Sequence, residues 1–344
     1  MVKSTIKDVA QLAGVSLKTV SRVINKEPFV RQATIEKVSK AIEELGYQPN
    51  LAARNLRSGK SYALGLVYDN PNPYYIIDMQ QGALNVCRDM GYGLQIHPCD
   101  AAQDNIAEEL VDLYRDADLS GLILAPPMSE RADIIKVLRR NDIQYVGIVS
   151  GTAEDPALTP CVHVDDRKAA YNITKHLLSL GHTHIAFFWG EEIHKSSPER
   201  FHGYEDALRE EGITLDPSLI FDGAYSFESG IENAQKLLQL PDTPTALFCS
   251  NDEIAAGALT VFTERGLQVP HDIALAGFEN SPFSRHSSPP LTTAEQSTIE
   301  IAAAATRLLI AGMRPHTIES ENELVTEFSP TLIIRQSTCP VDGR

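Results

Sequence analysis

Apolar positions recur with a helical rhythm over the first 60 residues, and beyond them the chain changes to short apolar runs alternating with further helical segments. Ile6, Val9, Ala10 and Ala13 share one helical face, with Thr5 and Asp8 marking its start. Gly14 ends it, since glycine alone enters the left-handed conformation there without steric cost, and Val15 tucks inward. Ser16 then caps a second helix whose buried side is Val20, Val23 and Ile24, leaving Leu17, Lys18, Ser21 and Arg22 outward. A third helix over 32–45 buries Ile35, Val38, Ile42 and Leu45 and closes at Gly46. Beyond Pro49, Asn50 caps the short segment 51–58, in which Ala52, Ala53 and Leu56 lie on one face.

The basic segment stops at about residues 59–61. Strand-length runs over 62–68, 93–97, 121–125 and 145–149 then alternate with helical segments over 74–90, 103–115 and 131–139. After a loop over 151–160 the alternation starts again, with helices over 166–180, 198–211, 227–240 and 253–265 and strands over 185–189, 219–221, 246–250 and 273–277. Alternation of this kind predicts parallel, doubly wound sheets with helices on both faces, and its repetition predicts two similar lobes. A ligand belongs between them, where strand C-termini converge.

Composition sharpens the division. The 344 residues are 43% hydrophobic, enough for two to three cored domains, and carry a net charge of −16. Residues 1–60 hold eleven Lys and Arg against five Asp and Glu, net +6, so the remaining 284 residues carry −22. A basic head on an acidic body confines attraction for DNA to the head. The five cysteines, Cys87, Cys99, Cys161, Cys249 and Cys339, form no CxxC pair, and no signal peptide or membrane-length apolar run is present, which predicts a cytoplasmic protein with reduced thiols. His182 and His184 lack the Cys or carboxylate company of a metal site, and neither metal nor cofactor is expected. Enzyme signatures are missing too: there is no GxxxxGK[ST] loop, no GxGxxG after a strand, no GxSxG elbow and no HExxH.

A hydroxyl, two cations and an apolar side chain on the first turns of the second helix suit major-groove base edges and phosphates. The run DVAxxAGVSxxTVSRVIN (residues 8–25) followed by GYxPNxxARxL (46–56) resembles the LacI/GalR family of bacterial transcription regulators, and the likeness continues over almost the whole chain. It implies an N-terminal all-α helix-turn-helix head with a hinge helix, on an α/β body of two doubly wound parallel-sheet lobes like the periplasmic sugar-binding proteins. The corresponding domains are 1–49 (head), 50–60 (hinge helix and linker), 61–162 with 293–323 (first lobe), 163–292 with 324–338 (second lobe) and a 339–344 tail. LTTAEQ (291–296) and the helix 297–312 resemble the return crossing into the first lobe, and strands near 324–328 and 331–335 the crossing back.

The implied function is a sequence-specific repressor of carbohydrate-utilisation genes, a homodimer on a palindromic operator, controlled by a small sugar-like effector between the lobes. DNA contacts fall on Thr5, Ser16, Leu17, Lys18, Thr19, Ser21, Arg22 and Asn25, with Asn50, Ala53 and Leu56 from the hinge. Leu56 is implied to wedge into the minor groove at the operator centre, the competing reading being a linker Leu packed on the body. The contrasting function is an enzyme, or a sugar-binding protein, on the same body with a chance match at the head.

Effector candidates are Asp69, Asn70 and Tyr74 in the loop after the first strand, Trp189, Ser196, Arg200, Tyr225, Asn251, Asp252 and Glu279. SSPERFHGY (196–204) matches the family pattern of an Arg three residues before Gly, which implies an anchoring role for Arg200 and a hydroxyl contact for Ser196. A second reading pairs Arg200 with Glu199, Glu205 or another carboxylate merely to hold its helix. Trp189 ends a strand, where it either stacks on a sugar or sits in the core. Asn251-Asp252 matches the family's SND segment, while Glu279-Asn280 stands where many members have two aspartates and Val149 where many have a carboxylate, so ligand identity does not transfer.

Overall fold

The computed structural model describes residues 4–24, 30–47, 61–70, 72–151, 160–313 and 325–340. The chain falls into two compact units, residues 1–62 and 63–344.

The first unit holds α1 (Ile6–Ala13), α2 (Leu17–Ile24) and α3 (Gln32–Leu45). The Asp8 carboxylate accepts from both the N–H and the hydroxyl of Thr5 at 2.7 Å, which closes the first turn of α1. At the other end Gly14 takes φ 64°, and its N–H bonds back to Gln11 O. Val9, Ala10, Val20, Val38 and Ala41 are buried at the centre, with Ile6, Ala13, Val15, Val23, Ile24, Ile42 and Leu45 packed around them.

The body begins with β1 (Ala63–Tyr68), α4 (Pro73–Met90), β2 (Gly93–Pro98), α5 (Ile106–Asp116), β3 (Gly121–Leu124), α6 (Ala132–Arg140), β4 (Tyr145–Ser150) and β5 (Cys161–Val164). It continues with α7 (Asp166–Ser179), β6 (Ile185–Phe188), α8 (Ser196–Glu210), β7 (Ile220–Phe221), α9 (Phe227–Leu237), β8 (Ala246–Cys249), α10 (Asp252–Glu264), β9 (Ala274–Ala276) and a short α11 (Pro282–His286). The last elements are β10 (Thr293–Glu295), α12 (Thr298–Gly312), β11 (Val325–Phe328) and β12 (Thr331–Ile333).

Two parallel sheets result, in the orders β11-β5-β4-β3-β1-β2 and β7-β6-β8-β9. Each is buried on both faces: Leu64, Leu66 and Ile123 enter one core of the first lobe, Val67, Leu122 and Leu124 the other. The second lobe divides likewise between Phe188 and Leu247 on one face and Phe187 and Phe248 on the other. In the second lobe α7 and α8 touch backbone to backbone, and a Cβ added to Gly203 would stand 2.1 Å from Arg167 O.

The chain leaves the first lobe after β5 and returns through β10, whose antiparallel partner β12 forms the last crossing. Between them α12 packs on α4 in the first lobe.

Two expectations change here. The strand near 324–328, assigned to the second lobe, is β11, which pairs with β5 in the first sheet; the division between lobes falls after Phe328 rather than at 324. Similarly, 161–164 forms β5 of the first sheet, so the first crossing lies past Val164 and not at 162. At the tail, His182 bonds the Cys339 carbonyl at 2.9 Å and Thr245 Oγ1 at 3.0 Å, which fastens residue 339 to the second lobe. Among the described residues no helix is long and apolar enough to cross a membrane, and no group of three or more His, Cys, Asp or Glu could hold a metal ion.

Candidate functional site

In the head, the chemistry sits on α2. Ser16 Oγ accepts the Thr19 N–H at 3.1 Å and lies 2.9 Å from Thr19 Oγ1, so both hydroxyls serve the helix start. Leu17, Lys18 and Arg22 are exposed along the helix, Ser21 is half-buried, and Thr5 is exposed while occupied with Asp8. Asn25, Asn50, Ala53 and Leu56, with the expected hinge helix, lie outside the described residues.

In the body, loops after strands of both sheets converge on one cleft lined by Asn70, Asn72, Tyr75, Ser150, Asp166, His194, Ser196, Arg200, Tyr225, Glu279 and Gln296. At its centre Arg200, 2% exposed, donates from Nε to Asp166 Oδ1 at 2.9 Å and from Nη1 to Ser250 O at 2.6 Å. Its guanidinium lies 3.8 Å from the centre of the Phe278 ring, and Glu279 Oε1 is 3.8 Å from Nη1. Asp166 is itself 1% exposed and accepts from Ser150 Oγ at 2.5 Å. The carboxylate partner of Arg200 is therefore Asp166 on the neighbouring helix, not Glu199 or Glu205. Tyr225 Oη joins Ser196 Oγ at 3.0 Å and accepts from Ser197 Oγ at 2.8 Å.

Three hydrogen bonds cross the cleft, one of them the Ser150–Asp166 bond between β4 and α7. Asn72 caps α4, its Oδ1 accepting from the N–H groups of Tyr74 and Tyr75, while its Nδ2 donates to Glu279 Oε2 at 2.7 Å. Glu130, on a 3₁₀ turn of the first lobe, accepts from Ser150 N at 2.9 Å and from Lys195 N of the second lobe at 3.1 Å. So fastened, the cleft has a cavity volume of about 30 Å³, the size of one water. These bonds tie the two lobes together across it.

Burial, the dominant influence on each, pushes Glu130 up to about 7 and Glu279 up to about 8. Both values exceed the unfolded carboxylate value, so the ionised forms destabilise the fold, and stability falls as pH rises through the folded values. Desolvation pushes buried His194 the other way, down to about 4, which opposes this slope only below the unfolded histidine value of about 6.5. Between about pH 6.5 and 8.5 the body is therefore expected to lose on the order of 1 to 3 kcal/mol, read by denaturant melts across that range. Glu279→Gln should flatten the slope; an unchanged slope in that variant would remove Glu279 from the account.

Several sequence candidates stand elsewhere. Asp69 Oδ2 accepts from Ala101 N at 2.8 Å and is not among the cleft lining. Tyr74 sets its ring edge-on to Phe283 at 5.7 Å beside a cavity of about 570 Å³ and, with Asn72, Tyr75 and Glu279, lines a neighbouring cavity of about 450 Å³; of the two tyrosines Tyr75 lines the cleft itself. Trp189 packs on Phe187 and Phe201, the latter at 4.7 Å, which is the core reading. Asn251 and Asp252 are fully buried behind the cleft: Asn251 caps α10, and Asp252 accepts from Thr293 Oγ1 and Ser281 N, both at 2.7 Å, tying β10 to the second lobe. Asn70, Ser196, Arg200, Tyr225 and Glu279 do come together. Of the residues not singled out beforehand, Asn72 had a readable signal, an Asn before Pro at a helix start; Glu130, Asp166 and Gln296 had none.

Comparison with known proteins agrees with both units. Residues 5–50 match the model for bacterial regulatory proteins of the lacI family, and 174–338 match a periplasmic binding protein-like domain. The HTH-type transcriptional repressor PurR of Aliivibrio salmonicida is 33% identical over 97% of this chain and 98% of its own. Among solved structures, the lac repressor dimer bound to operator and the anti-inducer ONPF superposes with TM-score 0.76 at 25% identity, covering 98% of this chain and all of that one. The transcriptional regulator CelR–cellobiose complex gives TM-score 0.72 at 26% identity, over 97% of this chain and all of that one.

A helix-turn-helix head and a two-lobed body built like a periplasmic binding protein define a DNA-binding transcriptional repressor rather than an enzyme. The chain belongs to the lacI family of bacterial regulatory proteins.

Proposed function

We propose that this repressor binds a two-fold symmetric operator as a homodimer in the cytoplasm, controls carbohydrate-utilisation genes, and has its operator affinity set by a small sugar-like effector held between the lobes. The observation carrying this reading is the cleft, where Asn70, Asn72, Ser196, Arg200 and Glu279 offer donors and acceptors from both lobes beside the aromatic rings of Tyr75 and Tyr225. A polyol needs that mixture, and the CelR structure holds cellobiose. An effector alters DNA binding only through its differential affinity for two lobe arrangements, and the inter-lobe bonds at Asn72–Glu279 and Glu130–Lys195 are contacts that differ between them. Melting curves with a panel of mono- and disaccharides, followed by operator titration with each stabilising sugar, test the reading. Failure of every sugar to raise the melting temperature would exclude a sugar effector.

One recognition helix spans too few base pairs for specific affinity, so two copies are needed. On α4, Ile77 is 58% exposed and Leu84 39%, an apolar strip fit for a subunit contact. Ile77→Asp is expected to convert dimer to monomer in light scattering and to weaken operator binding at least tenfold. A dimer of unchanged affinity would move the contact elsewhere. At the hinge, Leu56→Ala is assigned a loss of DNA bending with ligand binding retained.

A further inference from the structure

The cleft's charge balance carries the argument further, and rests on the reading that the effector binds there. Among the described residues Arg200 is the one permanently cationic side chain in the lining, and it is already paired with Asp166. Its Nε is committed to Asp166 at 2.9 Å, its Nη1 to a carbonyl, and one face of its guanidinium to Phe278. Neither partner has solvent to draw on, at 2% and 1% exposure. Glu279 Oε1 stands 3.8 Å from Nη1 and, pushed up to about 8 by burial, is mostly a neutral carboxyl near pH 7, so the charge of Arg200 is balanced by Asp166. The Lys195 side chain is not part of the lining. His194 is buried and held neutral. An entering anion would find no unpaired cation, and a buried unpaired charge is among the most expensive groups a protein can hold.

The remaining demand is for donors. Gln296, 6% exposed and part of the lining, has no partner for its Oε1. A carbonyl oxygen so placed accepts a hydroxyl or amine hydrogen and gains nothing from a phosphate or carboxylate oxygen.

We propose that the effector is an uncharged polyhydroxy compound, that its phosphorylated and carboxylated counterparts are rejected, and that Asp166 enforces the rejection by holding the charge of Arg200. One hydroxyl donates to Gln296 Oε1 and another to Glu279.

Two arms test this on the full chain at pH 7.5 and constant ionic strength. The first titrates inorganic phosphate while the melting temperature is followed. The wild type is expected to show no saturable shift; Asp166→Asn, which frees Arg200, is expected to gain one, and the further change Arg200→Ala to abolish it. Asp166→Ser supplies the same comparison where Asp166→Asn does not fold. A saturable wild-type shift that disappears in Arg200→Ala would overturn the proposal, as would absence of any gain in both Asp166 variants. The second arm pairs free sugars with their 6-phosphates, glucose and glucose 6-phosphate first. Any binding should be at least tenfold weaker for the phosphate; tighter binding of the phosphate overturns the proposal. If neither form of any sugar binds, the sugar reading fails, while the phosphate arm still decides the charge claim.

Discussion

Replacing Arg200 by alanine is expected to lower the stability of the body by about 3 to 5 kcal/mol, because the change leaves Asp166 as an uncompensated charge with 1% exposure. The loss should come from the stranded carboxylate more than from the missing bond. Arg200→Ala combined with Asp166→Ala should therefore recover most of the melting temperature, since replacing a whole buried pair costs far less than breaking one. Effector response separates the two roles of the arginine. If Arg200 also anchors the ligand, the double variant regains stability, still binds operator, and no longer responds; with an inducing effector it would repress its genes permanently in the cell. A double variant that melts normally and responds normally would reduce Arg200 to a helix tie.

In the head, Arg22→Ala is expected to cost about 1 to 3 kcal/mol at the cognate operator, a five- to 150-fold loss, and much less on random DNA. Arg22 and Lys18 are exposed on the helix that Ser16 caps, while Val20 is buried, so removing either side chain leaves the head's core intact. Equal losses on cognate and random DNA would assign Arg22 to the phosphates instead.

How much of this was legible follows the range of the interactions. The head could be read in full detail because its signals are local: Thr5 with Asp8, Gly14 at φ 64°, and Ser16 with Thr19 all act within three or four residues. Alternation in the body gave its class, since strands buried on both faces are continuous apolar runs. Sheet membership was harder. Cys161–Val164 is only four residues long, and nothing in 325–328 says that its partner lies more than 160 residues earlier. The cleft failed for the same reason: the Asn72–Glu279 bond spans 207 residues, and Asp166 reads locally as a helix-start acid until Arg200 is seen beside it. Tyr74 and Tyr75 differ by one position, a turn of about 100° on a helix: both line a cavity of about 450 Å³, but of the two only Tyr75 also lines the cleft. Glu279 was noticed as a departure from two aspartates, and its backbone at φ 100° is held by bonds to Ala294 and Asn72 that no local pattern announces.

The expectation on which everything else depends is that α2 reads a specific operator on behalf of a ligand-sensing body. Its most direct test is retention of genomic DNA fragments by the full chain at physiological salt, repeated with Arg22→Ala. A small set of retained fragments sharing a two-fold symmetric sequence, lost in the variant, is the result predicted; uniform retention of all fragments, or of none, would contradict it.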